Sequence, residues 1–274
     1  MAVLKHYKAD LSLTCLLLFS ACNKTGIQKA IPVDTNCDIK VPHTESENIK
    51  NDQEPDYTDF PAGTCKIIAT GIFHSDEIIK NAQKAEWYGL FKDKNGYYTA
   101  PTLITIKSVF DEITGDTTGW EVSTQVNDLC VILIEKLPFI KSRRILEANL
   151  PKYPGGYGYK NTFKDSLRFS YMGTDYKIFE KGKSRIKDNT GGSDSKLIMA
   201  ARKNGKYIEE VIVENFSKET LILFAGDIDD DNQIDLIINI AIDNNNHALT
   251  LLLSKTAEKD HLLKVAGSHS TKGC

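Results

Sequence analysis

From about residue 58 to the C-terminus, apolar residues come in short runs and not in helical stripes. "CKIIATGIF" (65–73), "TLITIKSVF" (102–110), "GWEVST" (119–124) and "CVILIE" (130–135) are rich in Ile, Val, Thr and aromatic side chains, which suit a pleated, half-buried surface. Turn signals separate the runs. Asn95-Gly96 lies between "WYGLF" and "YYTAP", and Asn204-Gly205 between "KLIMAAR" and "YIEEVIVEN". Asn-Gly supplies the positive φ angles of a type I′ turn, so each dipeptide predicts a tight hairpin. "LRFSYMGTDYKIFE" (167–180) predicts a third, turning around Gly173. Only "SDEIIKNAQKAEW" (75–87) offers a helical alternative, with Ser75 as N-cap and acids in its first turn. The pattern predicts a mainly β protein of antiparallel hairpins and meanders, forming a sandwich- or barrel-like body with little helix. No repeat with a period of about 40 to 60 residues is visible, which argues against a complete propeller.

The first residues follow a different pattern. Lys5, His6 and Lys8 form a basic start, residues 11–19 are almost unbroken apolar, and the small residues Ser20 and Ala21 precede Cys22. That order marks a secretory signal peptide. The apolar run is far short of the roughly 20 residues that cross a bilayer as a helix. "LLLFSAC" (16–22) resembles the bacterial lipobox, with Phe19 where Leu is more usual. The resemblance implies acylation of Cys22, as by palmitate, and a membrane anchor held by the lipid alone. Residues 23–57 are polar, with three prolines and no apolar periodicity, and read as a tether. The expected organisation is therefore a signal peptide over 1–21, a lipidated Cys22 and tether over 22–57, and a β-rich body over 58–274. "PKYPGGYGYKN" (151–161) and "KGKSRIKDNTGGSDSK" (181–196) interrupt the strand pattern; a division into two subdomains would fall near 151–195.

Charge narrows the partners. Removing residues 1–21 takes Lys5, Lys8 and Asp10, which moves the balance from 34 basic and 37 acidic residues to 32 and 36, a net of −4. Without a basic excess to hold a phosphate backbone, nucleic acid is disfavoured. Cysteine usage agrees with export. Beyond Cys15 and Cys22 there remain Cys37, Cys65, Cys130 and Cys274, an even number at wide spacing, which suggests two disulfides in an oxidising compartment. Of three connectivities, the expected one joins Cys37 with Cys65 and Cys130 with Cys274; free thiols are the alternative.

The densest chemistry lies in "GDIDDDNQIDLII" (226–238), with five aspartates in nine positions. Counting from Asp227, oxygen-bearing side chains fall at positions 1, 3, 5 and 9 as Asp227, Asp229, Asp231 and Asp235. Gln233 stands at position 7, where a backbone carbonyl serves in EF-hand-like loops. Alternate residues of a curled loop can point inward together and supply the oxygens that Ca²⁺ takes. Position 6 is Asn232, which tolerates the left-handed backbone usually given to Gly. Ile238 stands where an EF-hand carries its bidentate Glu, and the flanks "ETLILFAG" and "IDLIINIAI" read as strands. An EF-hand or a dockerin is thereby excluded. The stretch instead resembles the FG-GAP/VCBS-type loop, whose usual form is close to "GDxDGDGxxDL" between two strands. Asp230 and Asn232 replace its two glycines, and the match covers about 20 residues. The resemblance implies a calcium ion held by Asp227, Asp229, Asp231, Asp235 and the carbonyl of Gln233. A metal-free acidic hairpin is the alternative.

Catalytic signals are sparse. No HExxH, GxSxG or phosphate-binding loop occurs. His43, His74, His247, His261 and His269 read as surface residues, and Trp87 and Trp120, within strand-like runs, as core. Tyr153, Tyr157 and Tyr159 in the Gly-rich 151–161 stretch would suit a sugar platform, with a plain loop as the alternative. Together these features resemble lipoproteins of the bacterial cell envelope. The expectation is a non-enzymatic, lipid-anchored β protein with a structural calcium loop and a binding or structural role, its partner an envelope protein or a glycan. The alternative is an envelope hydrolase or glycan-binding accessory protein. "CNKTG" (22–26) lacks an acidic cluster after the cysteine, which favours the periplasmic side of the outer membrane.

Overall fold

The computed structural model describes residues 65–111, 115–151, 166–182, 195–215, 219–241 and 245–272. The signal and lipobox with Cys22, the tether with Cys37, the tyrosines of 153–159, most of the 181–196 connector and Cys274 lie outside the described residues. All described residues fall within one compact unit, Lys50–Cys274.

The body is mainly β and antiparallel throughout. In chain order the strands are β1 (Ile67–Ile68), β2 (Gly71–Phe73), β3 (Trp87–Asp93), β4 (Gly96–Thr102), β5 (Ile104–Asp111), β6 (Asp116–Thr124), β7 (Leu129–Glu135) and β8 (Arg143–Ile145). There follow β9 (Leu167–Tyr171), β10 (Thr174–Lys181), β11 (Lys196–Lys203), β12 (Lys206–Val213), β13 (Leu221–Gly226), β14 (Asp235–Ala241), β15 (Asn246–Leu253) and β16 (Lys264–Lys272). They form four sheets: β1-β7-β3-β4-β8, β2-β6-β5, β12-β11-β10-β9 and β13-β14-β15-β16. The last two are plain meanders of consecutive strands.

The β13–β16 sheet is covered on both faces. Leu236, Ile238 and Leu252 pack against Ile178, Leu197, Met199 and Ile208 of the β9–β12 sheet. Ile237, Leu251 and Leu253, one residue out of phase, pack against Leu90, Ile132 and Ile134 of the first sheet. Double burial explains why "DLIINIAI" and "LTLLL" are continuously apolar and do not alternate. A third cluster joins the first sheet to the small one, through Ile68, Trp87 and Leu133 against Phe73, Ile106, Trp120 and Val122. Both tryptophans are buried, as expected. The result is a sandwich-like stack in which β13–β16 is an inner layer.

Two hairpins form as the sequence predicts. Asn204 and Gly205 (φ 53° and 77°) turn β11 into β12, and Met172 and Gly173 (φ 47° and 80°) turn β9 into β10. The β3–β4 hairpin differs. Asp93 pairs with Gly96, so Lys94 and Asn95 form the turn, and only Gly96 has a positive φ, of 108°. Asp93 holds this turn by accepting the Asn95 N–H at 2.7 Å, and the glycine closes it as in a type I turn with a bulge. The helical alternative at 75–87 resolves into two short 3₁₀ turns, Ser75–Glu77 and Ala82–Lys84. The first is preceded by His74, not Ser75, in the cap position, and Ile78 and Ile79 between the turns are buried in the core. That burial demands an extended backbone where an α-helix would have continued.

Candidate metal centre

The β13–β14 connection begins with a close approach. A Cβ on Gly226 would stand 2.6 Å from the Leu146 carbonyl oxygen and 2.7 Å from the Phe224 ring. The segment after β8 runs beside it here: Glu147 bridges to Gly226, and Ala148 N–H donates to Ala225 O at 2.8 Å. From Gly226 the chain curls through two left-handed residues, Asp230 (φ 66°) and Asn232 (φ 63°). These are the two positions where the resembling loop carries glycine. Asn and Asp are the residues that adopt this conformation most readily after glycine.

Seven successive amides of the curl are accepted by side-chain oxygens. Asp227 N–H donates to the Tyr171 hydroxyl at 2.9 Å. Ile228 and Asp229 donate to Asp235 Oδ2 at 2.6 and 3.1 Å. Asp230 and Asp231 donate to Asp227 Oδ1 at 2.7 and 3.1 Å, and Asn232 to Asp227 Oδ2 at 3.1 Å. Gln233 donates to Asp231 Oδ1 at 2.8 Å. Part of the aspartate richness thus serves the backbone, since a curl this tight cannot pair its own N–H groups with its own carbonyls. Asp227 and Asp235, the first and ninth positions, do most of this work.

The carboxylates also converge. Asp227, Asp229 and Asp235 are all buried, and one oxygen from each lies within 4.8 Å of the others. Asp235 takes further bonds from the β15–β16 connection, with Ser254 N–H and Oγ donating to Oδ1 at 2.8 and 2.9 Å. Asp229 Oδ2 accepts Lys255 N–H at 3.0 Å, whereas its Oδ1 is buried with no hydrogen-bond partner. Asp231 sits beside the triad and not within it. Both its oxygens lie 3.0 Å from Ser254 Oγ, as alternative acceptors to Asp235 for the one hydroxyl hydrogen, and Oδ2 accepts the Gln233 side-chain amide at 2.9 Å. Of the four aspartates expected at the ion, three meet, and Asp231 accepts the Gln233 side-chain amide next to them.

The electrostatics follow from burial. Loss of solvent pushes the Asp229 carboxyl above the usual carboxylate range, and the nearby charges of Asp231 and Asp227 push the same way against the Lys255 amide. Asp235 is raised by burial first and by the charge of Asp229 second. Basic groups reach the loop from β8, the segment before it and the β15–β16 connection. Arg143 reaches the Asp227 carbonyl at 2.6 Å and its carboxylate at 3.2 Å, Lys141 lies 3.5 Å from Asp230, and Lys255 Nζ donates to the Asp229 carbonyl at 2.9 Å. A buried carboxylate oxygen without a hydrogen-bond partner, on a residue that converges with two other buried carboxylates, is costly without a cation. The donor set, all hard oxygen, suits a divalent ion of the calcium type. The residues present therefore fit such an ion.

Sequence reasoning does not find Arg143, Tyr171, Ser254 and Lys255, because each comes from a different strand or connection remote in the chain. Tyr171 is held by two bonds, donating to Leu146 O at 3.0 Å while accepting from Asp227, and burial raises its pKa to about 12. Among the histidines, His261 pairs with Glu210 at the surface at 2.8 Å. His269 departs from the surface expectation. It is fully buried, with Nε2 2.8 Å from the Glu77 carbonyl and the Phe73 ring edge-on at 5.5 Å. Cys65 and Cys130 are not bonded to each other, and the partners expected for them, Cys37 and Cys274, lie outside the described residues.

No protein-family profile, curated protein or solved structure matches the chain.

Proposed function

We propose that the 227–235 loop holds one calcium ion, and that the ion's role is structural. The observations that carry this reading are the convergence of the Asp227, Asp229 and Asp235 carboxylates and the burial of Asp229 Oδ1 without a hydrogen-bond partner. Asp231 and the Gln233 carbonyl complete the proposed ligand set, in keeping with the loop's resemblance to the FG-GAP type. The loop touches β8 through Arg143, the β9–β10 hairpin through Tyr171 and the β15–β16 connection through Ser254 and Lys255. An ion there would fasten the junction of three sheets, which supports a structural role over a signalling one.

Around this loop we place a non-enzymatic, lipid-anchored protein of the cell envelope, acylated at Cys22. No helix among the described residues is long and apolar enough to cross a membrane, and the anchor rests on the lipobox alone. Thermal unfolding of the protein in calcium and in chelator tests the structural reading. Melting should rise by several degrees with calcium, since a ligand that binds only the folded state stabilises it by mass action; superimposable curves would contradict it.

A further inference from the structure

The β9–β12 sheet turns Tyr176, Ile178, Leu197, Met199 and Ile208 towards β13–β16. The alternate residues face the other way and, with Phe169, Tyr176 and Ala201 between them, line a cleft of about 790 Å³. Its shape has a simple origin. Ala200, in the middle of the sheet, lies directly across from Lys177 on β10 and Glu209 on β12. A short side chain between long ones leaves a depression.

The cleft's chemistry is unlike that of the chain as a whole. Arg168, Lys177 and Arg202 line it, against Asp175 in the lining and Glu209 beside Ala200, the latter acid paired with Lys181 at 3.2 Å, in a protein of net charge −3. Arg168 and Arg202 are exposed, and neither makes an ion pair with another described residue. They sit two strands and two residues apart along the register Arg168, Lys177, Ala200, which places them roughly 12 Å from each other at ordinary strand spacing. Lys177 Nζ lies over the Phe179 ring at 4.4 Å from its centroid. Tyr207, paired across from Arg202, is 52% exposed. Asp175 accepts the Ser170 hydroxyl through one oxygen, leaving the second to take a donor from outside.

We propose that this cleft binds an acidic oligosaccharide, a chain of hydroxylated rings bearing carboxylate or sulfate groups. Two separated guanidiniums recognise two acid groups, each by charge-assisted hydrogen bonds. The exposed Tyr207 ring offers an apolar face with a polar tip, which suits the mixed surface of a sugar ring. Asp175 decides between anions. Its carboxylate would repel a cluster of phosphates, whereas it accepts hydroxyl hydrogens, which a sugar acid carries beside its charges. The concavity argues in the same direction, because a planar bilayer surface would not enter it. The inference does not rest on a bound calcium ion.

The test is calorimetric titration of the protein with a short polyuronate, a short sulfated glycan and a neutral glucan of matching length. Parallel arms use inorganic phosphate and phosphatidylglycerol vesicles. The proposal expects binding of at least one acidic oligosaccharide, weakened by added salt, and none of the glucan. R168Q/R202Q should weaken binding at least about tenfold, the scale of losing charge-assisted contacts, and Y207A several-fold. All three positions are exposed, and circular dichroism will show the variants folded as the parent is. Absence of binding to both acidic glycans, binding unchanged in folded R168Q/R202Q, or binding of phosphate or vesicles without the glycans would each overturn it.

Discussion

The hydroxyl of Tyr171 accepts the backbone N–H of Asp227 at 2.9 Å and donates to the Leu146 carbonyl at 3.0 Å. One phenol thus fixes the first residue of the aspartate loop to the segment that follows β8. Tyr171→Phe removes both bonds and leaves a buried N–H without an acceptor. Losses of about 1–3 kcal/mol follow from such an unsatisfied group. Urea denaturation should show that loss, together with weaker calcium binding, since Asp227 would no longer be held in place. An unchanged midpoint would mean that the phenol does not anchor the loop.

Gly226 sits where no side chain fits. Its Cβ would meet the Leu146 carbonyl at 2.6 Å, and a backbone oxygen in a packed segment cannot swing aside. Gly226→Ala should cost roughly 1–3 kcal/mol, the range for overpacking. Denaturation of this variant is the check, and a cost near zero would show that the 146–148 segment yields easily.

His269 makes stability depend on pH. Burial lowers its pKa in the folded protein, so below the ordinary histidine value of about 6.5 the unfolded chain binds a proton that the folded chain resists. The sign is therefore fixed: stability is lost as pH falls from that value towards the folded one. The groups around the ring are the Glu77 carbonyl and Phe73, with the Glu77 carboxylate nearby accepting the His74 and Lys272 amides. His269→Phe should be less stable at neutral pH, yet lose less on acidification to pH about 5.5. Parallel urea curves for the two proteins at both pH values would refute this assignment.

The strands and the aspartate loop were legible because each is a local pattern. Short β-branched runs mark strands, and alternate acids mark a curl whose residue 232 needs left-handed backbone, as its φ angle bears out. The partners of the loop were not legible. Tyr171 and Ser254 stand 56 and 19 residues from the loop residues they bond, and only the order of the sheets brings them there. Double burial of β14 and β15 likewise reads in sequence as a plain apolar run, with no sign of which neighbour covers which face. His269 looked like a surface residue because a lone polar side chain in "GSHSTK" gives no hint that β16 docks against the turn at 75–77.

The four cysteines beyond Cys22, even in number and widely spaced, are expected to form two disulfides, Cys130 with Cys274 and Cys65 with Cys37. Burial pushes both described thiols up to about 12, so slow alkylation of the folded protein would not reveal pairing. Alkylation in denaturant without reductant will. All four cysteines should resist until reduced, and peptide mapping should return those two pairs; ready labelling of Cys65 and Cys130 would refute the pairing.

Calcium binding itself is the most direct measurement. Equilibrium titration of chelator-treated protein should give one ion per chain, and Asp229→Asn should abolish it by removing a carboxylate of the buried triad, one that has an oxygen without a hydrogen-bond partner. Asp230→Asn, at the exposed rim beside Lys141, should bind much as the parent does. No uptake at millimolar calcium, or uptake by Asp229→Asn as tight as the parent's, would contradict the account and leave the loop an acidic turn held by its own amides.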